Sequence, residues 1–200
     1  MKTTKKALLL ALCAVLLVVS TVFATLAYLT TEVKVVKNTF TVGEIEITLD
    51  EAKVTEYGVE VTGANRVTEN TYKLIPGHKY TKDPKVHVQA GSEPCYLFVK
   101  VIDEIAAIQD TKTVAKQMED NSWIEMDGVD NVYYFISTVD ASTDAKSYNV
   151  FEEFTIKDDA DVASYEGKTI TVQAYAIQAD GFDDAAAAWA AAPATWTVNP

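Results

Sequence analysis

The chain has 200 residues, 48% of them hydrophobic, and a formal net charge of −12. That length suits one domain able to bury a core without disulfide or metal staples. The acidic balance argues against nucleic acid and anionic lipid headgroups as partners, because both are repelled by it.

Met1–Lys6 carries Lys2, Lys5 and Lys6 and no acid, and Ala7–Ala24 is apolar apart from Ser20 and Thr21. A positive start, an apolar run and a small residue at Ala24 or Ala27 predict a secretory signal peptide. The rival is a retained anchor, since a span needs roughly 17–25 residues. Small residues at its end and the lack of a basic stop-transfer cluster favour cleavage, with the cut between Ala27 and Tyr28. Residues 1–27 are then the signal peptide and 28–200 a single domain. Three lysines and no acid leave with the peptide, so −12 becomes −15. Cys13 is lost with it, and Leu12 before Cys13 does not suit lipidation. Cys95 remains alone and is expected as a buried small hydrophobe. An exported protein without a disulfide fits a Gram-positive source.

Thr31–Leu49 alternates in changing phase. Thr31, Val33 and Val35 are odd-numbered, Phe40 and Val42 even, and Ile45, Ile47 and Leu49 odd again. A one-residue slip turns the apolar set to the other sheet face, so Thr31–Val36 reads as a strand separate from Thr39–Leu49. Weak strands with turns at Tyr57-Gly58 and Gly63-Ala64-Asn65 follow, and Pro76-Gly77 marks another turn. Val86 and Val88 alternate with polar neighbours, Ala90–Pro94 reads as a loop, and Cys95–Val101 is apolar on both faces, as a sandwich-interior strand is. One or two short surface helices are expected in Asp103–Ser122. Trp123–Ser137 reads as a hairpin around Asp127-Gly128. A loop over Asp140–Ser147, a strand over Asn149–Ile156 and an acidic connection over Lys157–Lys168 come next. Thr169–Ala179 is the cleanest strand, with Ile170, Val172, Ala174 and Ala176 on one face. Asp183–Ala192 reads as a helix docked by Phe182 and Trp189 and stopped at Pro193. Thr195–Val198 is expected as a closing strand. The sum is a mainly β fold, an antiparallel jelly-roll sandwich with a few short peripheral helices.

Catalytic and metal-binding patterns are scarce. The two histidines, His78 and His87, belong to no H-E-x-x-H, and the sequence places no nucleophile beside either. A peptidase would need them to converge with acids such as Asp83 or Glu93. The acids Asp158, Asp159 and Asp161, and Asp180, Asp183 and Asp184, lack EF-hand spacing and read as solvated loop residues. No catalytic residue, cofactor or metal site is expected.

What remains is the strand edge. A freed N-terminus over residues 28–38, with Thr31, Val33, Val35 and Val36 as its alternating core, can pair within its own domain or insert into the next subunit. Such a head-to-tail contact does not close, so it builds a filament.

ATLAYLTTEVKVVKNTFTVGEIEITLDE resembles the signal-peptide end and first strand of the TasA/CalY (camelysin) family. LIPGHKYTKDPKVHVQAGSEPCYLFVKV is similar to that family's central block, and TITVQAYAIQADGFDDAAAAW to its C-terminal strand and Trp-bearing helix. The resemblance implies a secreted jelly-roll protein, exported with the signal peptidase SipW, that forms biofilm-matrix fibres at the surface of a Gram-positive cell. Its partners would be further copies of itself or related matrix subunits, and it would meet the membrane only through the uncleaved signal peptide. Two alternatives stand beside this reading: a cell-surface metallo-endopeptidase of camelysin type, and a non-polymerising adhesin or accessory subunit.

Overall fold

The computed structural model describes residues 44–193 together with Lys6, Cys13, Val15, Leu16 and Trp196. Residues 1–41 and 42–200 are separate compact units. In the first, the four described residues are helical and exposed. The expected cleavage point Ala27–Tyr28 and the donor residues Thr31, Val33, Val35 and Val36 lie outside the described residues. No described helix is long and apolar enough to cross a membrane.

The second unit is mainly β. Its strands are β1 (Ile47–Asp50), β2 (Lys79–Thr81), β3 (Lys85–Val88), β4 (Ser92–Asp103), β5 (Trp123–Glu125), β6 (Val132–Phe135), β7 (Val139–Ala141), β8 (Lys146–Asn149), β9 (Glu153–Thr155) and β10 (Ile170–Gln178). Among the described residues, the α-helices beside them include α1 (Val114–Asp120) and α2 (Ala185–Ala190), with short 3-10 helices at Ala106–Ile108 and Val162–Tyr165. One sheet has the order β1-β3-β8, a second β10-β4-β6-β5 with β7 also on β4, and β2-β9 form a ribbon. Every pairing between these strands is antiparallel.

The two larger sheets share one core. Val86 and Val88 from β3 meet Leu97, Val99 and Val101 from β4, with Trp123 and Phe151 fully or almost fully buried among them. β4 is apolar on both faces because both are covered. Phe98 points the other way, into a cluster under α2, where its ring lies 5.1 Å from that of Trp189. Six residues make α2 too short to stand alone. Asp184 caps it by accepting from the Ala187 N–H at 2.8 Å, and Ala188 and Trp189 bury its inner side. Cys95 is buried as expected, and burial pushes its thiol up to about 11.

Four sequence expectations need correction. β4 begins at Ser92, inside the expected loop. Pro94 fits there because its carbonyl accepts from Ala179 at 2.8 Å, while the β7 register shifts between Ser92 and Cys95. The expected loop at Asp140–Ser147 holds the end of β7 and the start of β8, and the expected strand Asn149–Ile156 is broken. β8 and β9 belong to different sheets, because Val150 and Phe151 are both fully buried and so do not alternate. Gln117 of α1, itself buried, holds that corner: its Oε1 accepts from Glu152 and Glu153 N–H at 3.2 Å each, and its Nε2 donates to the Glu153 carbonyl at 2.7 Å. α1 is the expected short surface helix: Ala115, Lys116, Glu119 and Asp120 are exposed, while Val114 and Met118 anchor it in the core. Finally, Trp196 is helical and stacks on Tyr175 at 4.6 Å instead of extending a strand. The rest of Thr195–Val198 lies outside the described residues.

Candidate strand-accepting edge

β10 lies at the end of its sheet, paired along its whole length with β4. Glu104 N–H donates to the Thr169 carbonyl at 3.0 Å, and Ala179 N–H to the Pro94 carbonyl at 2.8 Å. In an antiparallel pair such bonds recur at every second residue. The odd-numbered residues of β10 therefore bond to β4. The even-numbered ones, Ile170, Val172, Ala174 and Ala176, turn their N–H and C=O groups to the outer edge. The same four direct their side chains at the core shared by the sheets, where they are only partly buried. Among the described residues, nothing hydrogen-bonds that outer row.

Edge strands are ordinarily guarded by shortness, charge or proline. β5 has three residues and ends on Glu125; β8 has four and begins with Lys146. β10 has nine residues, ITVQAYAIQ, with no charge and no proline. Inward-facing Ala174 and Ala176 are small and only partly buried.

A groove of about 800 Å³ opens beside the start of β10, between residues 68–74 and 162–171. Tyr72, Leu74, Phe154, Val162 and Tyr165 give it an apolar floor, and Glu56, Glu69, Glu166, Lys73 and Lys168 a rim of mixed charge. A second space of about 190 Å³ continues to Val172, against Leu49 and Val67. The two share Glu51, Thr68 and Lys82, so together they run along the edge from Ile170 to Val172.

The groove wall is held by charge. Lys82 Nζ meets Glu51 Oε2 at 2.6 Å, with the two side chains 11% and 6% exposed. The other Glu51 oxygen accepts from Asn70 Nδ2 at 2.9 Å. Burial pushes the Tyr72 hydroxyl well above the ordinary tyrosine value, reinforced by Glu51 and Asp83. Arg66 ties the wall to β1: its Nε donates to Asp50 Oδ1 at 2.5 Å and its Nη1 to Asp83 Oδ2 at 2.8 Å. Burial pushes the Asp50 carboxyl up, but the hydrogen bonds from Arg66 and His87 outweigh it and leave it below the usual carboxylate range.

The histidines sit in separate networks. His78 Nε2 meets the Tyr57 carbonyl at 2.9 Å, and its ring lies edge-on to Tyr80 at 4.5 Å. His87 Nε2 lies 3.0 Å from Asp50 Oδ1, and its Nδ1 lies 2.7 Å from Ser147 Oγ. The expectation that neither histidine has a nucleophile beside it is thus corrected. Ser147 stands opposite His87 in the β3–β8 register, a pairing across 60 residues that local alternation does not reveal. Asp83 is engaged by Arg66 and by the Ala52 N–H. Among the described residues, no group of three or more His, Cys, Asp or Glu could hold a metal.

Compared with family models, curated proteins and solved structures, the chain matches none.

Proposed function

We propose that this protein is a secreted structural subunit of extracellular matrix fibres, a jelly-roll member of the TasA/CalY (camelysin) type. It assembles by lending its N-terminal segment to the open edge of β10 in the next copy. The observation that carries the reading is that edge: nine uncharged residues whose outward backbone groups have no partner among the described residues, beside an apolar groove. The expected donor, Tyr28–Val36, is also nine residues long, and nine strand residues span about 30 Å. An added strand pairs backbone with backbone, while its alternate side chains (Thr31, Val33 and Val35) pack beside Val172, Ala174 and Ala176. Cleavage after Ala27 would release the donor only once export is complete.

The experiment is deletion of Tyr28–Val36 from the secreted form. The shortened protein should keep its thermal unfolding transition and stay monomeric, whereas the intact form makes filaments visible by electron microscopy. Filaments of unchanged yield from the shortened protein would refute the donor role.

A further inference from the structure

We propose that Ser147 is an activated nucleophile toward ester and phosphonyl electrophiles, with His87 as its base and Asp50 positioning that base. The three residues come from three adjacent strands. In the β1-β3-β8 sheet, Thr48 pairs with His87 and His87 with Ser147, while Asp50 pairs with Lys85 and Lys85 with Asn149. Val86, Val88 and Tyr148 point into the core, so His87 and Ser147 share the outer face. Ser147 is exposed and can be reached from solvent.

The hydrogen bonds fix who donates. Asp50 is clamped by Arg66 and ionised, so it only accepts. His87 Nε2, 3.0 Å away, must therefore carry the proton. In the neutral ring Nδ1 then keeps its lone pair, and Ser147 Oγ, 2.7 Å away, donates to it. That is the arrangement of a serine held by a general base whose orientation a carboxylate sets. Lys85 lies diagonal to Ser147 on the same face and is the cation placed there. The other charged group in the network is Asp83, which is bound to Arg66.

The step balances without a further reagent. Ser147 Oγ bonds to the carbonyl carbon of an ester as its proton passes to His87 Nδ1. The alkoxide leaves with that proton, and water then hydrolyses the acyl-serine. With a fluorophosphonate, the Oγ–P bond forms, the P–F bond breaks and fluoride leaves. Ser147 and His87 line neither the 800 Å³ groove nor the 190 Å³ space, so selection would be weak and the substrates small.

The test has its controls within the same chain. Ser142 and Ser164 are also exposed, but their hydroxyls bond to Asp140 (2.6 Å) and Asp161 (2.7 Å) with no imidazole. The full-length protein is treated with a fluorophosphonate, and adduct at each serine is followed by peptide mass spectrometry. Ser147 should react at least about 100-fold faster than Ser142 and Ser164, the lower range of a general base's contribution. His87→Gln should erase that excess. Asp50→Asn should lower it while leaving Ser142 and Ser164 at their own rates, a contrast that general loosening of the fold does not produce. Equal labelling of the three serines, or an excess that survives His87→Gln, would overturn the proposal. The labelling is read on monomers and fibres alike, so its outcome is independent of the donor-strand reading.

Discussion

Replacing Ala174 with proline separates the outer edge of β10 from everything else that strand does. Ala174 is even-numbered, so its N–H faces outward and takes no part in the β4 ladder. Proline removes that donor and is tolerated on an edge strand. The ladder bonds made by Gln173 and Tyr175 to Lys100 and Phe98 stay intact, and the melting temperature should move little. On the proposed assembly, an incoming strand meets Ile170, Val172, Ala174 and Ala176, each offering one donor and one acceptor. A proline at 174 leaves one carbonyl of the incoming strand unpaired in a covered interface, at about 1–3 kcal/mol. At about 1.4 kcal/mol per factor of ten, the concentration threshold for polymerisation should rise roughly tenfold to a hundredfold. Light scattering across a concentration series gives the threshold, and circular dichroism gives the fold. Tyr175→Pro is the counterpart: it deletes a ladder N–H and should destabilise the domain itself. If Ala174→Pro is folded and polymerises at the wild-type threshold, the β10 edge is not where copies meet.

Two further outcomes follow from the groove wall and the surface carboxylates. Lys82→Met leaves the nearly buried Glu51 carboxylate with Asn70 as its remaining side-chain partner, and should cost about 3 kcal/mol in urea unfolding, the lower end for breaking a buried pair; a loss below 1 kcal/mol would mean the wall does not depend on that pair. Asp50 is held low by Arg66 and His87 against the push of burial, and Glu153 first by its hydrogen bond to Lys79 and then by Lys112. Their folded-state values lie below the unfolded ones, so their contribution is full above about pH 5 and is lost as the pH falls through the lowered values. Asp103, raised by burial, has the opposite sign. The melting temperature should fall as the pH drops below about 5, and Glu153→Gln should flatten that slope.

The elements legible in the sequence are those whose signal is local. β10 alternates without interruption, the Trp123–Phe135 hairpin has its turn residues in place, and α2 has an aspartate cap and a proline stop. Where the pattern fails, tertiary contacts decide. Val150 and Phe151 are adjacent and both buried, which no alternation rule allows; the bend exists because Gln117, more than 30 residues away, satisfies its amides. The open edge was half legible. The apolar face of β10 is visible in the sequence, but which row of backbone groups faces outward needs the bonds at Thr169 and Ala179. Glu51, Lys82 and Asn70 carry no motif, and only the fold brings them to one wall.

Charge and backbone pairing act at different ranges in this molecule, and the difference bears on the form of any assembly. A net charge of −12 keeps copies apart over roughly a Debye length, about 8 Å at physiological salt. Strand pairing acts at about 4.8 Å and needs a row of open groups to begin. Over most of the described surface the repulsion is unopposed, because the other edge strands are short and carry charges. Along β10 it meets nine uncharged residues, of which the even-numbered ones turn their backbone groups outward. A copy that accepts along this edge and gives from its N-terminus has two different contacts, so growth runs head to tail and each added copy renews the open edge.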